Sequence, residues 1–175
     1  VEATVTKQPI VEPHAIYLPI PTALAQGWDA HYETGGAVVK LDDEQLPYAS
    51  RHYITAQRFI RIGDAKSEVT VACPDAPLWQ VGGYTFGRFG DPDGRVARER
   101  PTLVAWLTNN YWSTNFQADQ GGQSKYRFPL VPSPRRDLGA AAQAALAYAQ
   151  PLATHVYAER GPVKSTAASL LKLEL

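Results

Sequence analysis

The chain has 175 residues, 45% of them hydrophobic and 19% charged, and its 17 Lys+Arg balance 17 Asp+Glu. That length suits one domain with its own core. Zero formal charge leaves no surplus of cations for phosphates and excludes nucleic acid as a main partner. The apolar stretches fall short of the ~20 residues that a membrane-spanning helix needs. A single cysteine, Cys73, excludes an internal disulfide framework and a Cys-rich zinc site, with a reducing cytosol as the default compartment.

From Val1 to Pro21 the chain is expected to be extended. Pro9, Pro13, Pro19 and Pro21 remove amide donors and bias each preceding residue away from helix. Ala15-Ile16-Tyr17-Leu18 reads as a short edge strand. Gly35-Gly36 turns into a strand over Ala37–Leu41, and Asp42-Asp43-Glu44 begins a polar loop that ends at Pro47. His52–Ile62 reads as one strand. Ile54, Ala56, Ile60 and Ile62 mark one face and Tyr53, Thr55, Gln57 and Arg61 the other, while Arg58 and Phe59 interrupt the two sets.

A turn through Gly63-Asp64 and Lys66-Ser67 returns as a strand over Glu68–Cys73, which makes a hairpin. Pro74-Asp75-Ala76-Pro77 leads into Leu78–Val81, closed by Gly82-Gly83. Two further strands are expected over Thr102–Thr108 and Tyr126–Val131. Asp137 caps the one evident helix, whose apolar side is Leu138, Ala142, Ala145, Leu146 and Ala149, and Pro151 stops it. Beyond it lie a strand over Ala153–Ala158, a Gly161-Pro162 turn and a terminal apolar run. About eight strands with Gly/Pro turns predict a mainly β chain. The expected architecture is an antiparallel β-sandwich with one short helix near 137–150, formed by residues 1–175 as a single domain. Val1 at the start, the absence of methionine and the apolar Leu170–Leu175 run lead us to expect a fragment of a longer chain.

Few residues suggest chemistry. His14, His31, His52 and His155 are widely separated, with no His-x-x-x-His pair. Asp91-Pro92-Asp93-Gly94 resembles the start of a calcium loop, but Val96 holds its glycine position and Thr102 its terminal glutamate position. Cys73, at a strand end beside Pro74, reads as a small buried hydrophobe. Gly82-Gly83 and Gly121-Gly122 match no phosphate loop. Asp42, Asp43, Glu44, Asp75, Asp91, Asp93 and Asp119 lie mostly in turns, where carboxylates cap the backbone. No catalytic residue and no metal ligand is assigned.

The unusual segment is Asn109-Asn110-Tyr111-Trp112-Ser113-Thr114-Asn115-Phe116. Amides and hydroxyls at this density are costly to bury without partners. Flat aromatics beside amides suit a sugar, which presents an apolar ring face and a rim of hydroxyls. The same pattern also suits aromatic core residues with Asn side chains satisfying a loop backbone.

Residues 109–120, Asn-Asn-Tyr-Trp-Ser-Thr-Asn-Phe-Gln-Ala-Asp-Gln, resemble a segment of the C-terminal β region of α-mannosidase-like enzymes of glycoside hydrolase family 38. Gln45-Leu46-Pro47 with Arg51-His52-Tyr53-Ile54-Thr55-Ala56-Gln57-Arg58 is similar to another stretch of that region. So are Val69–Leu78, Gln80-Val81-Gly82-Gly83, Gly87-Arg88, Tyr126-Arg127-Phe128 and Tyr17-Leu18-Pro19-Ile20, all in the same order, over roughly Pro9 to Leu173.

The resemblance implies a β domain of supersandwich type from a retaining exo-α-mannosidase. In such a parent, an α/β-barrel catalytic domain holds the nucleophilic Asp and a zinc ion, and a helical bundle follows it. One carboxylate attacks the anomeric carbon and another serves as acid, then base. The family's metal-binding His-x-Asp has no counterpart in this chain. The implied partners are therefore the catalytic and helical domains of the parent, and through them an α-mannoside. The chain alone is expected to be inactive and without a cofactor. Asn109, Asn110, Tyr111, Trp112 and Asn115 become candidates for a sugar-pocket wall, and Arg58 and Arg127 for a domain interface. A free-standing carbohydrate-binding module and a structural spacer are the alternatives.

Overall fold

The structure, a computed structural model, describes residues 1–49, 51–83, 99–110 and 119–149. The strands among them are β1 (Glu2–Lys7), β2 (Ala15–Pro21), β3 (Asp29–Thr34), β4 (Ala37–Lys40), β5 (Ile54–Thr55) and β6 (Phe59–Gly63). β7 (Ser67–Ala72), β8 (Leu78–Val81), β9 (Thr102–Asn109), β10 (Gly122–Arg127) and β11 (Leu130–Pro134) follow, and then helix α1 (Leu138–Ala149). They form a five-stranded sheet in the order β11-β7-β6-β3-β4, a four-stranded sheet β2-β9-β8-β5, and a ribbon β1-β10. All pairings are antiparallel. The fold is the expected antiparallel β-sandwich.

The core lies between the two larger sheets. Alternation points Ala30, Tyr32, Ile60, Ile62 and Val71 inward from one sheet, and Ile54, Trp79, Val81, Leu103, Ala105 and Leu107 from the other. Trp79 is fully buried and meets the Phe128 ring edge-on, with centroids 5.6 Å apart, while its indole N–H donates to the Ala76 carbonyl. That geometry satisfies the one polar atom of a large core side chain.

Several expected elements hold. The β6–β7 hairpin pairs Phe59 with Ala72 and Gly63 with Glu68. β2 is an edge strand as expected, though it runs on to Pro21. The Thr22 N–H reaches the Pro101 carbonyl beside β9, so the even-numbered amides face β9. Pro19 and Pro21 have the other parity, and their missing donors remove nothing from the ladder. Asp137 caps α1, its Oδ1 accepting from the Ala140 N–H at 2.9 Å. Ala142, Ala145 and Ala149 then pack on Phe59, Ala72 and Val38, so α1 covers part of the outer face of the five-stranded sheet.

Three findings differ from expectation. The run His52–Ile62 is two strands in two sheets, because the chain crosses between layers at Ala56-Gln57-Arg58. Arg58, which breaks the alternation, lies in that crossing. Tyr126–Val131 likewise divides into β10 and β11 at Phe128-Pro129, where Phe128 enters the core and the Pro129 carbonyl accepts from the Ala72 N–H. Strand β3 was not expected. Its outward Asp29, His31 and Glu33 are poor strand formers, and pairing with β4 and β6 overrides that preference. The strand expected over Ala153–Ala158 lies outside the described residues.

Candidate functional site

The unusual segment begins where β9 ends. Asn109 pairs with Ala15 in the ladder and is exposed. Asn110 is one residue past the strand, and its backbone N–H donates to the His14 carbonyl. Its side chain grips the loop between β1 and β2. Oδ1 accepts from the His14 N–H at 2.8 Å, and Nδ2 donates to the carbonyls of Ile10 and Glu12 at 2.8 and 3.0 Å. Both amide donors are thus engaged with backbone. The loop is tied further through His14, whose Nε2 lies 3.1 Å from Lys7 Nζ and whose Nδ1 lies 2.9 Å from the Glu12 carbonyl. Asn110 therefore acts as a clamp between β9 and residues 10–14. Tyr111, Trp112 and Asn115 lie outside the described residues.

Upstream on β9 is an aromatic cluster. Trp106 points away from the core and stacks on Tyr17 at 5.3 Å between centroids, and Tyr53 tilts against it at 5.5 Å. Burial raises the pKa of the Tyr53 hydroxyl, which keeps the phenol protonated. Among the described residues, Trp106 Nε1, Thr108 Oγ1 and Gln80 Oε1 are buried and find no hydrogen-bond partner. Such atoms each cost about 1–3 kcal/mol.

Both candidate interface arginines are committed within the domain. Arg58 Nη2 donates to Glu33 Oε1 at 2.8 Å, and the Arg58 backbone N–H reaches Glu33 Oε2. The Arg58 hydrogen bond, outweighing burial, holds the Glu33 carboxyl below its ordinary range. Arg127 grips Asp75 with both fork nitrogens, at 2.9 and 3.1 Å, and lowers the pKa of that carboxyl. Arg127 is exposed, whereas Glu33 is 2% exposed, so the two pairs differ in what their loss would strand.

Sequence reading missed a polar cluster on the outer face of the five-stranded sheet. Arg61 Nε donates to Glu68 Oε2, and Arg61 Nη1 lies 3.2 Å from His31 Nδ1 and 3.6 Å from Asp29 Oδ1. Arg135 closes the group by donating to Asp29 Oδ2 and to the Asp64 carbonyl. Burial lowers the pKa of His31, with Asp29 opposing and Arg61 assisting. Gly63 faces Glu68 so closely that an added Cβ would lie 2.9 Å from the Glu68 Cβ. The available signal was Arg61 and Glu68 on one face of neighbouring hairpin strands.

Beside this cluster an open groove of about 330 Å³ is lined by Trp28, Asp29, Lys40, Asp42 and Asp43 among others. Among the described residues no group of three His, Cys, Asp or Glu side chains is arranged to hold a metal. Cys73 is buried in the core, and desolvation pushes its thiol above the ordinary range. No helix among the described residues is long and apolar enough to cross a membrane.

The fold and these contacts define an antiparallel β-sandwich domain with a clamped loop beside an aromatic cluster. No protein-family model matches the chain, and no curated protein matches it.

Proposed function

We propose that the chain is a β-sandwich domain of a retaining α-mannosidase-like glycoside hydrolase, packed on a catalytic domain and contributing to one wall of its sugar pocket. The observation that carries this reading is the colinear set of motifs on a chain that folds as the antiparallel sandwich those motifs imply. Catalytic carboxylates and zinc belong to the neighbouring domain of the parent, and the role here is positional. Asn110 fixes residues 10–14 against the end of β9, at the point where Tyr111, Trp112 and Asn115 follow in sequence. Clefts favour domain interfaces, so such a fixed edge suits a pocket rim. A reducing cytosol suits a chain whose one thiol is buried.

The test uses an aryl α-mannoside with the isolated chain and with the full-length parent, the latter with and without Asn110→Ala plus Trp112→Ala. The reading expects no turnover by the chain alone and reduced turnover in a variant parent that retains its melting temperature. Turnover by the isolated chain overturns it.

A second reading, a carbohydrate-binding module, rests on the groove beside Trp28, where an indole, carboxylates and an ammonium match a sugar's ring face and hydroxyls. It expects a tryptophan fluorescence change on titration of the isolated chain with mannose, abolished by Trp28→Ala.

A further inference from the structure

The loop between β1 and β2 is fastened at two separate places, to the end of β9 and to the start of β10. On the β9 side, the Asn110 amide holds the His14 N–H and the carbonyls of Ile10 and Glu12. On the β10 side, Gly121 packs on Pro9 so closely that an added Cβ would lie 2.8 Å from the proline ring. Asn110 and Gly121 thus take their spacing from one loop. That loop is in turn closed on itself by a contact with a strict protonation requirement. His14 Nδ1 lies 2.9 Å from the Glu12 carbonyl, and a carbonyl can only accept, so Nδ1 carries a proton. His14 Nε2 lies 3.1 Å from Lys7 Nζ at the end of β1. An ammonium can only donate, so Nε2 offers its lone pair and the ring is the neutral Nδ1–H tautomer.

We propose that the Lys7–His14 contact is a pH-dependent latch, which holds the loop and the spacing of Asn110 and Gly121 while His14 is neutral and loosens them in acid. Protonating His14 would set the N–H of one cation against the N–H of another, and Lys7 would have to withdraw. The groups facing His14 are Lys7 from β1, the Glu12 carbonyl from the loop itself and the uncharged Asn110 amide from β9. The β10 side meets the loop at Gly121, with Asp119 two residues before it. Histidine side chains ordinarily change charge between about pH 5 and pH 8, a range in which an ammonium keeps its own. The contact is therefore complete above that range and lost below it. The latch deepens the proposed function by giving the pocket rim a regulator, and its effect on turnover rests on that reading.

The test reads protection factors at the His14 and Asn110 amides of the chain at about pH 7.5 and about pH 5.5, which span the histidine range. Protection at both is expected to fall about threefold in acid, the size of one modest hydrogen bond. Imidazole nitrogen shifts at the higher pH are expected to report the Nδ1–H tautomer. His14→Gln keeps an acceptor for Lys7 at every pH, and Lys7→Met removes the repelling cation. Each is expected to abolish the local response, and if His14→Gln fails to fold, Lys7→Met carries the test. In the full-length parent, the ratio of aryl α-mannoside turnover in acid to that at neutral pH is expected to rise in His14→Gln.

An Nε2–H tautomer at the higher pH, or a response that survives in both variants, overturns the latch. An active parent whose pH profile is the same with and without His14→Gln overturns its regulation of the rim. A parent that cleaves no α-mannoside while the amides respond as expected keeps the latch and removes the enzyme reading.

Discussion

Arg61 Nε donates to Glu68 Oε2 across 2.7 Å, between neighbouring strands, with the two side chains 1% and 0% exposed. Glu68 also accepts from the Ser133 hydroxyl and the Arg136 N–H, so one carboxylate joins β6, β7 and the approach to α1. Removing one partner of such a pair strands the other in a medium that solvates it poorly. Glu68→Ala is expected to cost about 3–5 kcal/mol. Replacing both, as Arg61→Met/Glu68→Leu, is expected to cost less than Glu68→Ala alone. Urea unfolding of the three chains checks the order.

The acid limb of stability is expected to have two parts. The folded-state pKa of His31 is lowered, chiefly by burial, from an ordinary 6.5. As pH falls through that value the unfolded chain binds the proton first. The contribution is therefore complete above about pH 6.5 and declines towards the folded pKa. Glu33, held low by Arg58 against an ordinary 4.5, contributes above that value and loses its contribution as pH falls through its folded pKa. His31→Gln should flatten the upper part and leave the lower, as read from denaturation midpoints between pH 3 and about pH 7. An unchanged slope just below the histidine range would remove His31 from the account.

The Asn110 clamp has its own signature. Asn110→Ala deletes three hydrogen bonds to the 10–14 loop and is expected to cost about 1–3 kcal/mol. Amide exchange at His14 should rise more than exchange within β6, which local loosening requires and global destabilisation does not.

Arg58 and Arg127 should separate under mutation. Arg127→Ala removes an exposed pair and should lower the denaturation midpoint slightly, by an amount that shrinks in salt. Arg58→Ala leaves Glu33 buried with only backbone donors, and should lower the midpoint more, with little response to salt. Midpoints at two ionic strengths distinguish them.

Much of the sandwich was legible because Gly and Pro punctuate short alternating runs. The β6–β7 hairpin, β8, β9 and α1 all lie close to where periodicity puts them. The change of sheet at Ala56–Arg58 left only the interruption at Arg58 and Phe59 as a signal, since the same parity resumes at Ile60 and only the tertiary partner changes, and the change at Phe128-Pro129 was not legible. β3 was concealed because Asp29, Glu33 and His31 are satisfied by Arg135, Arg58 and Arg61 from distant strands and loops. The site was half legible. Asn110 was conspicuous in sequence, but its partners lie 96 to 100 residues earlier. Arg51 attracted notice only within a motif, and its grip on the carbonyls of Asp42, Gln45 and Leu46 is a property of the folded loop between β4 and β5.

The crossing at Ala56-Gln57-Arg58 has a mechanical consequence. The Ala56 N–H bonds to Pro77 at the start of β8, and the Gln57 N–H bonds to Glu33 in β3, so the segment is fastened to both layers. The chain bends at Gln57 and Arg58, beside these two bonds. Inserting or deleting one residue there would turn the inward side chains of β6 outward. The two sheets are thus coupled at this crossing, and under heat they should yield in one event.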